Sequence, residues 1–442
     1  MGLGRKTGET LRSPTVTPKL QRIAAQAARD PDRVFTTWAS LIDEACLREA
    51  SRRTSKSSAA GLDGVTAQRY AERLAENLRD LHERLRSGVS QAAPVERVWI
   101  EQDDGGRRPI GKPAFEDKLG QRAVAMLLAA IYEEDFSDCS YGLRQGHSPH
   151  EALHALRQRC LSEGIGWIVE AEVSGDFDSI DRTRLREGLR QRVNDGRGLR
   201  LLGKWLRAGV MDEGVLTHPE TGVVPGGGIS PILAHIFLHH VLEEWCAQAV
   251  RPRLQGRCFL IRCADDCVIG CALEGDARRI MAVLPKRLAR FGLRIHPTKT
   301  ALIAFRKPEA HPGDDPGNGT CDFLGLTHYW SRSRRGFWVI KRRTARKRLC
   351  RTQKSWWRWC HINRHAPLQY QYQQLGQKLR GPFQSFGIRG NFRLLEEVRR
   401  YAEKAWRYWL SRRSSKSPID WEKFQKLLAT YGLPTPKIVH NI

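Results

Sequence analysis

"IRCADDCVIG", residues Ile261 to Gly270, sets two adjacent carboxylates, Asp265 and Asp266, between apolar runs: Phe259-Leu260-Ile261 before them and Cys267-Val268-Ile269 after. The apolar runs read as buried strands and the acids as the turn between them. Two like charges taken out of water side by side cost several kcal/mol unless a cation or hydrogen-bond donors offset them. The rest of the chain must therefore supply or bind a neutralising group.

The chain has 442 residues, enough for two or three domains, and 40% of them are hydrophobic. Its 74 Lys+Arg against 48 Asp+Glu give a net charge of +26, and the sequence pI is near 10.1. Such an excess points to a polyanionic partner, most commonly nucleic acid. A membrane surface is the competing reading, but no apolar run approaches the roughly 18 to 20 residues of a spanning helix. The opening "MGLGRKTGETLRSPT" lacks the apolar core of a secretory signal, so a cytoplasmic location is expected. The 11 cysteines are odd in number and form no C-x-x-C pair, which argues against a disulfide framework or a zinc ribbon. Cys263, Cys267 and Cys271 read as small apolar packing. His361 and His365 have a metal-like spacing without partner cysteines, and no zinc is assigned to them. His147, His150, His239 and His240 read as structural or solvent-facing.

Residues 1–36 read as a poorly ordered basic arm with little periodicity. From Thr37 to Arg86 the pattern is helical around a small-residue loop, "SKSSAAGLDGVT". Leu74, Leu78, Leu81 and Leu85 share one helical face that stops at Gly88. "VERVWIEQDDGGRRPIG" predicts a hairpin turning at Asp103 to Gly106. "HSPHEALHAL" carries a capping box, with Ser148 as N-cap, Pro149 first in the helix and Glu151 reaching back. A strand, "WIVEAEV", precedes "SGDFDSID", and "GVVPGGGISPILAHIFLHHVLEEW" is a glycine turn feeding a long helix. A helix over "RIMAVLPKRLARFG" and a short strand, "ALIAF", follow the Asp-Asp turn. Strands alternating with helices make this region α/β or α+β.

Between Phe323 and Leu395 there are 17 Lys/Arg and no Asp or Glu, interleaved with Trp330, Trp338, Trp356, Trp357 and Trp359. A solvated face ordinarily carries both signs, so this stretch reads as a polyphosphate-binding surface. Its candidate RNA contacts are Arg342, Arg343, Lys347, Arg348, Arg380 and Arg389.

A basic protein with an Asp-Asp turn points to two-metal phosphoryl transfer, in which two divalent ions about 3.5–4 Å apart activate the attacking oxygen and stabilise the leaving one. That chemistry needs a further carboxylate on a neighbouring strand. "WIVEAEVSGDFDSID" offers Glu172, then Asp176, Asp178 and Asp181, of which Asp178 and Asp181 fit acids favoured at a helix N-terminus.

From about Thr37 onward the order of blocks resembles bacterial group II intron-encoded proteins, the reverse transcriptase/maturases. The blocks are "GLDGVT", "GRRPIGKP", "DFSDCSYGLRQGHSPHEAL", "EAEVSGDFDSID", "PGGGISPILAHIFLHH", "RCADDCVIG", "FGLRIHPTKT", "FLGLTHYW" and "LRGPFQSFGIRGNF". The resemblance implies an α+β right-hand polymerase: fingers and palm over 37–310, a helical thumb/maturase region over 311–410 that binds intron RNA, and the end of that region over 411–442. Since no endonuclease block is read in it, the chain is expected to resemble the endonuclease-lacking members. It implies an RNA-directed DNA polymerase using Mg²⁺ or Mn²⁺, dNTPs and an RNA/DNA template-primer, with group II intron RNA or another structured RNA as partner.

Matched position by position, the resemblance makes Glu172, Asp265 and Asp266 metal ligands and Lys299 a proton donor to pyrophosphate. Arg108, Phe177 and Gly226 fall at the nucleotide. Several positions depart from the family. Glu172 stands where the family has Asp, Gly226 where it has Gln, Gln102 where it has a triphosphate-contacting Lys, and Cys263 where it has Tyr. All of these departures fall on one site, which is what weakened polymerisation with retained RNA binding would produce. Two alternatives stay open: a non-polymerising RNA-binding splicing factor, and a free-standing reverse transcriptase with a host defence or repair role.

Overall fold

The computed structural model describes residues 16–101, 106–174, 180–219, 221–222, 226–308, 319–414 and 419–442. In chain order the helices are α1 (Val16–Arg29), α2 (Glu44–Arg53), α3 (Ala67–Ala71), α4 (Leu74–Ser87), α5 (Phe115–Tyr132), α6 (Pro149–Ser162), α7 (Arg182–Arg190), α8 (Gly196–Leu206), α9 (Ser230–Leu238), α10 (Glu274–Ala289), α11 (Arg346–Ile362), α12 (Leu368–Phe386), α13 (Phe392–Leu410) and α14 (Trp421–Thr430). The strands are β1 (Val95–Glu101), β2 (Arg107–Lys112), β3 (Trp167–Ser174), β4 (Val210–Asp212), β5 (Val215–Thr217), β6 (Cys258–Cys263), β7 (Asp266–Cys271), β8 (Arg294–Ile295), β9 (Ala301–Ala304), β10 (Cys321–Phe323), β11 (Leu326–Arg332) and β12 (Trp338–Thr344).

The central sheet runs β6-β7-β3-β8, with β9 pairing the other end of β3. Strands β3, β6 and β7 are buried on both faces, which is why they read as near-continuous apolar runs rather than alternating ones. Val169, Ala171, Leu260, Cys267 and Ile269 join a core built with α2, α5, α9 and α10. Ile168, Phe259, Ile261 and Val268 join a second core with Trp356, Leu375, Phe383 and Trp406 of α11–α13. The sheet is thus the wall between the two cores. The α+β class follows, with helices and a smaller sheet, β2-β1-β4-β5, on the N-terminal side.

Local signals account for several boundaries. Gly88 ends α4 in the left-handed region (φ 77°), the conformation that favours glycine there. Ser148 and Glu151 make both bonds of the capping box on α6. Asp181 caps α7 by accepting from the amides of Thr183 and Arg184, so it is a helix cap. The hairpin of β1 and β2 forms, with Ile100 opposite Arg108; most of its anticipated turn lies outside the described residues. The anticipated cysteine packing holds: Cys263, Cys267 and Cys271 are buried, and Cys271 lies across from Cys258 with Sγ atoms 3.9 Å apart.

Two expectations are corrected. Residues 16–29 are helix α1, not loose arm: Ile23 and Ala27 are buried and Leu20 packs beside them. Leu20, Ile23 and Ala27 recur at three- and four-residue spacing, so the amphipathic face is present in the sequence itself and the segment folds onto the core by it. The region after 311 opens with an antiparallel sheet, β10-β11-β12, before its helices begin. Residues 419–442 pack with α11–α13: Phe424 and Leu433 are buried in the second core and Phe424 meets Trp406 edge to face.

Candidate active site

Asp265 and Asp266 sit where β6 turns into β7. Cys263 pairs with Asp266, leaving Ala264 and Asp265 as a two-residue hairpin turn. Ala264 takes φ 60°, a left-handed conformation that a residue with a Cβ adopts at a cost of about 1–2 kcal/mol. The turn is held by two backbone contacts. The Val173 amide donates to the Asp265 carbonyl (3.0 Å), and Arg262 Nη1 donates to the Ala264 carbonyl (3.0 Å).

The neighbouring carboxylate is Glu172, directly opposite Asp266 in the β3–β7 pairing. Directly opposed residues of an antiparallel pair project on the same face. By the two-residue period of the strands this face also carries Ile168 and Val268, which pack in the core shared with α11–α13. The three predicted acids therefore lie at the same end of the central sheet, on β3 and on the β6–β7 turn. Lys299 joins them, with Nζ 2.6 Å from Glu172 Oε1.

Charge crowding is relieved in part by position. Asp265, at the apex of the turn, is exposed, and Asp266 is half-buried. Burial first, then the charges of Asp265 and Glu172, push the Asp266 carboxyl up to about 6, with Lys299 acting in the opposite sense. A group of carboxylates whose mutual repulsion shows in this way gains from a bound cation. Oxygen-only donors suit a hard ion such as Mg²⁺ or Mn²⁺.

What the sequence reading missed lies under the turn. Arg262 is 1% exposed. It donates through Nε to Glu243 Oε1 (2.7 Å) and through Nη2 to Ser140 Oγ (2.7 Å). His239 Nδ1 donates to the other oxygen of Glu243 (2.7 Å). His235 Nε2 lies 2.9 Å from Ser140 Oγ. Burial, and then the Arg262 charge, hold His235 down to about 3, so its ring is neutral. Gly142 closes the assembly: a Cβ there would stand 2.3 Å from the Ala264 amide nitrogen. The available signal was one arginine inside the apolar run Phe259 to Cys263, since such a charge must be paired when the strand is buried.

The nucleotide candidates are distributed differently. Gln102 and Phe177 lie outside the described residues, as do Asp176 and Asp178. Arg108 lies on β2. Gly226 borders a cleft of about 820 Å³ with Ile110, Arg122, Leu143 and Gln145, and Leu143 directly follows the Gly142 that backs the acidic turn. Gly226 has φ 98°, and a Cβ on it would meet the Gly111 carbonyl oxygen at 2.2 Å. The glycine is thus built into the contact with β2, and a glutamine cannot simply be restored there. Gly226→Gln is expected to lower stability by about 1–3 kcal/mol through backbone strain. Thermal denaturation checks this, and an unchanged melting temperature would mean that the turn moves aside freely.

Of the basic candidates, Arg343, Lys347, Arg348, Arg380 and Arg389 are exposed. Arg342 is not. On β12 the residues alternate, with Ile340, Arg342 and Thr344 buried and Lys341 and Arg343 outward. The Arg342 guanidinium bonds the Ile442 oxygen. Burial pulls its pKa down to about 10. It is a tie between β12 and the C-terminal segment rather than a surface contact.

A sheet with acids at its hairpin turn, helices and a small sheet on one side and a basic helical unit on the other define the architecture of a right-hand polymerase. The family described as reverse transcriptase (RNA-dependent DNA polymerase) matches residues 100–328, more than half of the 442 residues. The chain belongs to that family. It is 36% identical over 226 residues to protein YkfC of Escherichia coli, covering 50% of this chain and 59% of YkfC. It is 31% identical over 227 residues to the group II intron-encoded protein LtrA of Lactococcus lactis, covering 50% of this chain and 37% of LtrA. A shorter similarity, 28% over 96 residues, joins it to nuclear intron maturase 1 of Arabidopsis thaliana, covering 22% of this chain and 13% of that protein. The match thus spans about three-fifths of YkfC and little over a third of LtrA. Among the described residues no helix is long and apolar enough to cross a membrane.

Proposed function

We propose that the chain is a group II intron-type reverse transcriptase/maturase that binds structured RNA, assists its splicing and extends a primer along an RNA template. The observation that carries this reading is the register of Glu172 opposite Asp266 with Asp265 on the adjoining turn. Glu172, Asp265 and Asp266 would hold the metal ions. Bound there, divalent ions supply activation of the primer hydroxyl and charge neutralisation at the leaving pyrophosphate. The chain's own part is positional. Arg262 and Gly142 fix the turn, and β3 fixes Glu172 against it. Lys299 stands at Glu172 with the proton that the resemblance assigns to the pyrophosphate. Arg108, Phe177 and Gly226 are the proposed nucleotide contacts, and dNTPs the substrates.

RNA binding is proposed for the surface of Arg343, Lys347, Arg348, Arg380 and Arg389, which lies past the palm in the stretch without acids. Replacing Arg343, Lys347 and Arg348 together by Gln is expected to weaken binding of a structured RNA and to flatten the slope of log K against log salt by about 2 to 3, the counterions those charges displace. Fluorescence anisotropy across a salt series reads this directly. An unchanged slope would move the RNA surface elsewhere.

A second reading, a polymerase site retuned for another task, is favoured by Gly226. Its close seat on Gly111 makes the missing amide a feature of how the turn packs on β2 rather than a simple loss.

A further inference from the structure

Beyond the acidic turn, the palm carries a second group of metal-type ligands. After α9 the helix widens: residues His239–Glu243 form a π-helical turn, in which the Glu244 amide bonds the His239 carbonyl five residues back. Such wide turns are rare and collect at functional sites. Here the widening carries Glu244 over both histidines. His240 Nδ1 lies 2.9 Å from Glu244 Oε2, and His239 Nε2 lies 3.5 Å from Glu244 Oε1. Ligand atoms from all three residues lie within 4.8 Å of one another.

We propose that His239, His240 and Glu244 form a binding site for a transition-metal ion of the zinc class. Donors about 2.0–2.1 Å from a tetrahedral ion stand about 3.3 Å from one another, and each histidine nitrogen lies close to that separation from one oxygen of the Glu244 carboxylate, His240 Nδ1 from Oε2 and His239 Nε2 from Oε1. Two imidazoles and a carboxylate are a borderline-soft set that selects Zn²⁺ over Mg²⁺. The supporting shell is present as well. Glu243 accepts from His239 Nδ1 at 2.7 Å, which fixes the ring so that Nε2 is left as the ligand, the carboxylate–histidine–metal arrangement. The His240 ring is seated against Gly188 and edge-on to Tyr132. Glu244 keeps a third of its side chain exposed, leaving an open side for entry and for a water as fourth ligand.

The location gives the ion a consequence. His239 holds Glu243, Glu243 holds Arg262, and Arg262 holds the carbonyl of Ala264. An ion at His239 would stiffen the chain of bonds that ends at the acidic turn. The site itself does not depend on the polymerase reading, and its test uses no polymerase readout.

The experiment is a titration of full-length, untagged, metal-stripped protein with Zn²⁺ against a chromophoric chelator, with Mg²⁺ in large excess to keep hard-oxygen sites occupied. Co²⁺ serves as the spectroscopic probe. Wild type is expected to take up one equivalent of Zn²⁺ and to show Co²⁺ ligand-field bands without thiolate charge transfer. His240→Gln and Glu244→Gln should each weaken that uptake at least about tenfold, no less than loss of an outer-shell partner does. Circular dichroism and melting curves establish that both variants fold, and if one does not, the other decides. Equal uptake by wild type and a folded variant, a thiolate band assigning the ion to the cysteines, or no uptake by wild type would each overturn the proposal.

Discussion

Asp265→Ala is expected to lower primer extension on an RNA template by about 10³-fold or more, because each loss of about 4 kcal/mol of charge stabilisation in the transition state costs that factor. Asp265 is exposed at the apex of the turn, so its replacement leaves the fold and the basic surface of β12, α11 and α12 intact. RNA affinity measured at the same salt should therefore change less than about twofold. Mg²⁺ should raise the melting temperature of wild type more than that of the variant, since a ligand that binds only the folded state stabilises it according to its affinity. Extension that survives the substitution, or equal Mg²⁺ shifts in both proteins, would remove Asp265 from the metal site.

Arg262→Met is expected to be the most destabilising single change near the site. It leaves Glu243, itself 2% exposed, buried beside a thioether, and breaking a buried pair on one side costs about 3–5 kcal/mol. It also frees the Ala264 carbonyl and the left-handed turn that depends on it. The two effects separate in the double variant Arg262→Met with Glu243→Gln. Removing the stranded charge should return much of the stability, whereas the turn stays unanchored and extension stays low. Denaturant unfolding and primer extension on the same preparations check this. A loss under about 1 kcal/mol in the single variant would show that the turn does not rest on the network.

Much of the palm could be read from sequence because its signals are local or periodic. The apolar runs around Asp265, the glycine stop at Gly88 and the capping box at Ser148 each carry their geometry within a few residues. Chemistry asked only for a carboxylate from a neighbouring strand; the family resemblance singled out Glu172 among the acids of that stretch, and the strand register sets it opposite Asp266. Other features depend on tertiary packing. The inward turn of Arg342 follows from the alternation on β12, hidden by a run in which nearly every residue is basic. Gly142 and Gly226 owe their importance to backbones far away in the chain, those of Ala264 and Gly111. Arg262, Glu243 and His239 act together only because β6 lies against the π-helical turn, a helix variant with no short-range sequence mark.

The acids of β3 and the β6–β7 turn are expected to form one metal-dependent site for RNA-templated synthesis. Single-turnover extension of a DNA primer on an RNA template tests it most directly, with wild type and Glu172→Gln compared across a Mg²⁺ series. Wild type should extend the primer with a saturable dependence on Mg²⁺, and Glu172→Gln should need far more Mg²⁺ and reach a rate lower by at least about 10²-fold, the cost of misplacing a reacting group by an ångström. No extension by wild type at any Mg²⁺ concentration while it binds the template-primer, or an identical Mg²⁺ dependence in the variant, would contradict it.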